Sequence, residues 1–394
     1  VRYPSFSYNP SNIFINSTVF LPYNKLYYTH KEGSSLYSCN KKVTFLMSTC
    51  MTALTWRNNQ LTVEERPQPT LATGEALIQV ITAGVCNTDL ELIQGYMGFE
   101  GTLGHEFVGQ VVQVADIENP QHTAWLGKRV CVDINAACTQ ATSHNACPTC
   151  GHPHHCPNRT VIGIVNHDGG FAQFVKAPVR NLYEVPANVS TDKAVFCEPL
   201  AAAFEIPEQL PITPETTIAV LGDGKLGLLI AMTLRLFSNH VTLIGKHPEK
   251  LALVADLGIK TLLLETATST PSTPWADMVV EVTGTAGGLQ QAINWTKPRG
   301  TIVLKSTVAH GEALNLAPVV INELTIVGSR CGPFDKALTA LATQPLPVER
   351  LIQGRYPLAE GVAAIQHAKT KGTLKILLDI DTPTLQQPPQ QAEQ

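Results

Sequence analysis

Apolar residues recur along this chain in two rhythms, and the change between them falls near residue 199. Before it they form short, β-branched runs broken by Gly and Pro. Ala76–Ala83 (ALIQVITA), Phe107–Val114 (FVGQVVQV), Lys128–Ile134 (KRVCVDI), Phe171–Lys176 and Leu182–Val185 each read as a strand. Many short strands with such punctuation predict a β-rich, barrel-like first domain. After residue 199 strands alternate with helical runs. Thr217–Leu221 (TIAVL) leads into an apolar helix reaching Phe237, Val241–Ile244 into a helix over Pro248–Leu257, and Asp277–Val282 (DMVVEV) into one over Leu289–Trp295. Thr301–Leu304 and Leu324–Val327 add two further strands. This alternation predicts a right-handed parallel sheet covered on both faces, hence an α/β fold. Past residue 331 the pattern gives one more helix, Ala359–Lys369, and a last strand, Leu374–Leu378.

The two ends do not follow either rhythm. Residues 1–50 hold a single acidic residue, Glu32, among many Ser, Asn and Tyr, without sustained periodicity. A targeting leader and a translated upstream region are both open readings, and the segment is expected to be poorly ordered. Residues 381–394, rich in Pro and Gln, read as a disordered tail. The expected organisation is therefore an extension (1–50), a first domain (51–198), an α/β domain (199–330), a return segment (331–380) and a tail (381–394).

Composition narrows the partners. With 394 residues, 44% hydrophobic and 15% charged, the chain has material for two ordinary globular domains. A net charge of −4 offers no general attraction to nucleic acid or anionic membrane. No apolar run approaches the ~20 residues that span a bilayer. The expected partner is a small molecule, and the expected setting is cytoplasmic, with organelle import through residues 1–50 as the alternative.

The candidate chemistry begins at Gly84–Gly109, GVCNTDLELIQGYMGFEGTLGHEFVG. It places Cys86, with Thr88 and Asp89 behind it, nineteen positions before His105 and Glu106. Thiolate, imidazole and carboxylate are the protein ligand types that zinc accepts. Four of the ten cysteines, Cys138, Cys147, Cys150 and Cys156, crowd into nineteen residues. In a large chain without a secretory signal such a cluster reads as metal binding in a reducing compartment. A redox dithiol at Cys147–Cys150 is disfavoured because no βαβ signature adjoins it.

A second motif, Gly222-Asp-Gly224-Lys225-Leu226-Gly227, follows a predicted strand and opens a helix, the context that gives a glycine-rich loop its meaning. Gly222 permits the turn, Gly224 the approach of a pyrophosphate and Gly227 close helix–strand packing. Lys225 and Leu226 count with them as cofactor-binding. Where NAD-preferring sites carry an acid at the end of the second strand, this chain has Gly245-Lys246-His247. That substitution predicts NADP ahead of NAD.

Taken together and in this order, GVCNTD, GHEFVG, the four-cysteine lobe, HCPNRTVIGI, CEPLAAAFEI and GDGKLG resemble the medium-chain zinc-dependent alcohol dehydrogenase family, from about Met51 to Ile380. Glu-Pro-Leu at 198–200 places the resemblance nearer the polyol, threonine and glucose dehydrogenase branch. The resemblance implies a GroES-like catalytic domain, a Rossmann domain and a C-terminal return to the first. It implies hydride transfer between an alcohol or polyol and NADP(H) or NAD(H), in a homodimer or homotetramer. It assigns Cys86 and His105 as ligands of a catalytic zinc, Glu106 as ligand or neighbouring carboxylate, and Glu198 as a ligand exchanging with water or substrate. Thr88 becomes a proton relay, and Asp89 orients the ligand histidine. Thr283 and Gly284 lie near the cofactor, and Lys375 matches a basic pyrophosphate contact. The resemblance also implies a structural zinc on Cys138, Cys147, Cys150 and Cys156. Here the intervening segments are eight, two and five residues, a longer first and shorter last interval than the family usually shows. His155 is an alternative ligand there, or a solvated loop residue. Cys197, one residue off the ligand register, reads as a buried thiol.

Overall fold

Two strands that the apolar pattern does not single out open the structure, a computed structural model that describes residues 50–137, 153–269, 273–307 and 314–380. β1 (Cys50–Arg57) and β2 (Gln60–Pro67) pair as an antiparallel hairpin. Asn58 and Asn59 turn it with φ of 48° and 57°, the left-handed pair that a two-residue hairpin turn requires. β2 exposes every residue of one face at its start and gives way to charged residues after Val63, so the apolar alternation of Leu61 and Val63 is too short to mark a strand. Expectations about residues 1–49, about the tail after 380, and about Cys138, Cys147 and Cys150 lie outside the described residues.

The first domain continues through β3 (Glu75–Gly84), the short helix α1 (Asn87–Leu92), β4 (Glu106–Val114), β5 (Arg129–Val132), β6 (Phe174–Pro178) and β7 (Leu182–Glu184). β3 is buried on both faces over most of its length, which explains its nearly continuous apolar run. Its pairing with β4 shifts register twice and ends with Gly84 opposite Glu106.

At α2 (Cys197–Gln209) the chain crosses to the second domain. There β8 (Thr217–Leu221), β9 (His240–Gly245), β10 (Lys260–Leu263), β11 (Ala276–Glu281), β12 (Thr296–Leu304) and β13 (Thr325–Gly328) form a parallel sheet in the order β10-β9-β8-β11-β12-β13. α3 (Lys225–Leu234) follows β8 directly. One buried cluster, with Leu200, Phe204, Leu228 and Leu338, covers one face of the sheet, and another, with Ile293, Trp295 and Ile302, covers the other. The doubly wound arrangement of a Rossmann domain is thus present. The expected helix over 248–257 is a single α-turn, Pro248–Leu251, that tightens into a 3-10 helix closed by Gly258 at φ 72°.

α4 (Phe334–Thr343) packs on α2, after which β14 (Ile352–Pro357), α5 (Gly361–Lys369) and β15 (Lys375–Asp379) return the chain to the first domain. The catalytic sheet then reads β7-β5-β4-β3-β15-β14, with β6 also on β3. β15 pairs antiparallel with β3, Leu377 opposite Gly84. This return brings the start of β15 to the end of β3, where Cys86 begins. No helix among the described residues is long and apolar enough to cross a membrane.

Candidate active site

The site is assembled around Gly84, the last residue of β3. A side chain there would meet Glu106 Oε2 at 2.9 Å and the Lys375 stem at 3.3 Å, so only glycine lets β4 and β15 bring these groups together. Lys375 Nζ donates to Glu106 Oε2 inside the protein and lies 5.5 Å from the Phe196 ring centroid. Burial opposes the charged form of Lys375, but Glu106 and then Cys86 outweigh it and raise its pKa.

Two residues further, Cys86 caps α1 in an extended conformation. Its N–H donates to Asp89 Oδ2 at 2.8 Å, and the Gly104 N–H donates to Asp89 Oδ1 at 3.3 Å. The same Oδ1 lies 3.2 Å from His105 Nδ1, although the angle does not satisfy that nitrogen as a hydrogen bond. One buried carboxylate therefore fixes the backbone of Cys86 and faces the ring of His105. Burial works against a charged His105, yet Asp89 and Cys86 together hold its pKa well above the ordinary range. Ligand atoms of Cys86, His105 and Glu106 lie within 4.8 Å of one another. The donor set and its spacing suit zinc: a thiolate, an imidazole whose Nδ1 faces a carboxylate, and a carboxylate. Thr88 Oγ1 stands 3.8 Å from Cys86 Sγ at the partly exposed edge of this cradle.

Glu198, in the first turn of α2, is a neighbour of the cradle. Burial pushes its carboxyl up to about 7 against the pull of His105, with Glu106 adding to the rise and Lys375 opposing it. Cys197 is a buried thiol whose sulfur faces the Phe334 carbonyl at 3.8 Å; burial raises its pKa, and it stands outside the ligand group. In the cysteine lobe, Cys156 is fully buried and His155 exposed, while His154 bonds Asp133 at 2.8 Å.

The dinucleotide loop lies across the cleft. Gly222 adopts φ 129°, where a side chain would strike the Val282 carbonyl at 2.7 Å. A Cβ on Gly227 would collide with the Gly222 carbonyl, whereas one on Gly224 would meet nothing within 4 Å. Two glycines thus serve packing, and the third leaves an open cradle at the N-terminus of α3, which fits a pyrophosphate. Lys225, the first residue of α3, donates from Nζ to the Val85 carbonyl at 3.0 Å. Burial and the nearby Lys375 lower its pKa. Partly exposed Leu226 follows it. Thr283 gives both its N–H and its hydroxyl to Glu281 Oε1, at 2.8 and 2.6 Å, and the Gly284 N–H donates to Ser306 Oγ at 2.8 Å.

Two residues enter the site that the sequence reading does not select. Asp223, buried, reaches across to Gly245 and accepts from the Lys246 and His247 N–H groups at 2.7 Å each and from His247 Nδ1 at 3.0 Å. A side chain on Gly245 would collide with it. The signal was available: an acid inside the glycine loop and a glycine where the acid usually stands. Lys305, at the end of β12, donates to the Ala202 carbonyl at 2.6 Å, the Arg330 carbonyl at 3.0 Å and Ser329 Oγ at 3.1 Å. Burial lowers its pKa to about 8. No motif marks it.

With this geometry in hand, relatives are informative. The alcohol dehydrogenase GroES-like domain model matches residues 72–187, and the zinc-binding dehydrogenase model matches 226–343. The chain is 26% identical over 336 residues to a sorbitol dehydrogenase of Halalkalibacterium halodurans, covering 80% of this chain and 94% of that protein. It is 29% identical over 311 residues to a D-altritol 5-dehydrogenase of Agrobacterium fabrum, covering 75% and 89%. Among solved structures, it superposes with a TM-score of 0.75 and 28% identity on a protein from Sinorhizobium meliloti 1021, assigned as a zinc-binding dehydrogenase and bound to NADP, over 84% of this chain and 99% of that one. For the alcohol dehydrogenase TADH from Thermus sp. ATN1 the values are 0.72 and 27%, over 84% and 100%. Domain models on both sides of the cleft and dehydrogenase relatives spanning nearly their full lengths agree with the cradle and loop described above: the chain belongs to the zinc-dependent medium-chain alcohol dehydrogenase family, polyol dehydrogenases included, and is an NAD(P)-dependent oxidoreductase that transfers hydride between an alcohol and its carbonyl.

Proposed function

We propose that the chain interconverts a polyol-like secondary alcohol and its ketone, with NADP(H) as hydride partner and Cys86, His105 and Glu106 as the zinc cradle. One observation carries this reading: the three ligand atoms lie within 4.8 Å of one another, and Lys225 joins the segment that carries Cys86 to the dinucleotide loop. Zinc held there supplies Lewis acidity that lets an alcohol lose its proton near neutral pH, the role it has in alcohol dehydrogenases generally. The chain's own residues do the rest. Asp89 holds the Cys86 backbone and turns His105 so that Nε2 is the nitrogen left for the metal. Thr88 carries the substrate proton toward solvent from the edge of the cradle. Glu198, in the first turn of α2 beside the cradle, would exchange with substrate or water at the metal. Gly222, Gly224 and Gly227 seat the dinucleotide, with Lys225, Leu226, Thr283 and Gly284 around it, and Lys375 sets the charge between cradle and cofactor.

Support for NADP comes from Gly245, Lys246 and His247 at the end of β9 and from the NADP-bound S. meliloti relative. Asp223 favours a second reading, NAD, because it restores a carboxylate at that strand end from the glycine loop. Ratios of kcat/KM for the two cofactors separate them. A homo-oligomer is supported by β13, an edge strand beside the exposed Val320 and Ile321. The deciding experiment is a panel of alcohols, polyols and ketones with both cofactors, before and after chelation. Turnover should disappear on zinc removal and return on re-addition; turnover that survives complete removal overturns the proposal.

A further inference from the structure

We propose that Lys225 couples the cofactor to the metal-ligand loop: its ammonium binds the pyrophosphate while holding the carbonyl of Val85, the residue before Cys86. The inference rests on the dehydrogenase reading above. Three observations converge on it.

The first is charge. Among the described residues Lys225 is in no ion pair, while its neighbour Lys375 is paired with Glu106. Two ammonium groups and the positive end of the α3 dipole therefore meet near the Glu106 and Asp89 carboxylates and the Cys86 sulfur, with Glu106 already committed to Lys375 and Asp89 to the Cys86 and Gly104 N–H groups. A partly buried cation in that setting calls for an anion. The second is space. Lys225 follows Gly224, whose missing side chain leaves open room at the helix N-terminus. The third is connection. An ammonium has three hydrogens, and Val85 takes one, which leaves two for phosphate oxygens. Val85 is fully buried, and the next residue is Cys86, whose N–H is pinned by Asp89. Movement of the Val85 carbonyl therefore reaches the ligand sulfur instead of dissipating in a mobile loop.

The test compares zinc-loaded wild type with Lys225→Met, which keeps the stem but removes the charge, and Lys225→Arg, which keeps the charge. Dissociation constants for NADPH and NADH are read by fluorescence, and for adenosine and 2′-AMP, which lack the pyrophosphate, by competition. Lys225→Met should weaken both dinucleotides by about 10- to 100-fold, the range of one charged hydrogen bond. It should leave adenosine and 2′-AMP within about twofold, and Lys225→Arg should recover most of the loss. Unchanged dinucleotide affinity, or an equal loss for adenosine and 2′-AMP, overturns the proposal. Failure of the wild type to bind either dinucleotide overturns the dehydrogenase reading instead. For the coupling, cobalt(II) replaces zinc and the visible spectrum is followed at saturating NADPH. The wild-type spectrum should change on cofactor binding, and that change should be lost in Lys225→Met. A change that persists in full reduces Lys225 to a phosphate contact and overturns the coupling.

Discussion

Lys375→Met removes one charge from a pair that the fold hides completely. The two side chains are 0% and 1% exposed, and Nζ of one donates to Oε2 of the other. Met keeps much of the lysine stem, so packing changes little while Glu106 is left as a buried carboxylate without its counter-ion. Breaking a buried pair from one side costs about 3–5 kcal/mol, most of it the uncompensated charge. The double variant Lys375→Met/Glu106→Gln removes that charge as well and should be less destabilised than Lys375→Met alone. The contact with Phe196 is worth about 0.5–2 kcal/mol and is lost in both variants, so it cancels from their difference. A divalent ion in the cradle also neutralises Glu106, so the loss should be larger after chelation than with zinc bound. The assay is urea unfolding of wild type, both single variants and the double variant, with and without chelator, following Trp56 and Trp125 in the first domain. A coupling energy of at least about 2 kcal/mol is expected in the chelated protein. Additive single effects, or a Lys375→Met variant within about 0.5 kcal/mol of wild type, would refute the reasoning.

Three further outcomes follow from the site. Asp89→Asn leaves one oxygen where two now accept from the Cys86 and Gly104 N–H groups and face His105, and zinc affinity should fall about 10- to 100-fold in a chromophoric-chelator competition; wild-type affinity would dismiss Asp89 as an organiser. Gly227→Ala forces a methyl into the Gly222 carbonyl, so a stability loss of about 1–3 kcal/mol should accompany weakened NADPH binding, and unaltered binding in a titration would contradict the packing role. Glu198 has a pKa raised to about 7 from an ordinary 4.5, so between those values the folded state holds a proton that the unfolded state has lost. Stability of the chelated protein should therefore fall as pH rises through that window, and Glu198→Gln should flatten the fall; an unchanged slope would remove Glu198 as its source.

What could be read from the sequence was local. The loop Gly222–Gly227 carries its meaning in six residues, and Cys86, His105 and Glu106 are flanked by glycines that announce tight backbone. The strands β3, β4 and β8 show because burial on both faces forces continuous apolar runs. The hairpin β1–β2 is hard to see because β2 carries only two apolar residues on its inner face, Leu61 and Val63; its Asn58-Asn59 turn is the clearest local signal. The Lys375–Glu106 pair joins residues 269 positions apart, and it exists only because β15 lies next to β3. Lys305 is similar: its partners on α2 and beyond β13 are neighbours only once strand order is known. Asp223 is an intermediate case, because its meeting with Gly245 depends on β8 and β9 being adjacent, which the loop motif itself implies.

That distinction bears on Glu106, which the motif leaves as either a metal ligand or a neighbour. Its position opposite Gly84 puts it in both environments at once: a ligand atom in the cradle with Cys86 and His105, and Oε2 on Lys375. A carboxylate has two oxygens, so commitment of Oε2 to Lys375 would leave Oε1 for a metal. The ammonium would then do for Glu106 what Asp89, 3.2 Å from Nδ1, is proposed to do for His105, setting the direction in which the group faces a metal. It also limits the negative charge gathered around the metal. Thiolate plus carboxylate would leave a zinc site neutral, and Glu198 as a third anion would make it negative, an excess that Lys375 would offset. On the proposed reading ligand and neighbour would be one role, and the C-terminal return of the chain is what would make it possible.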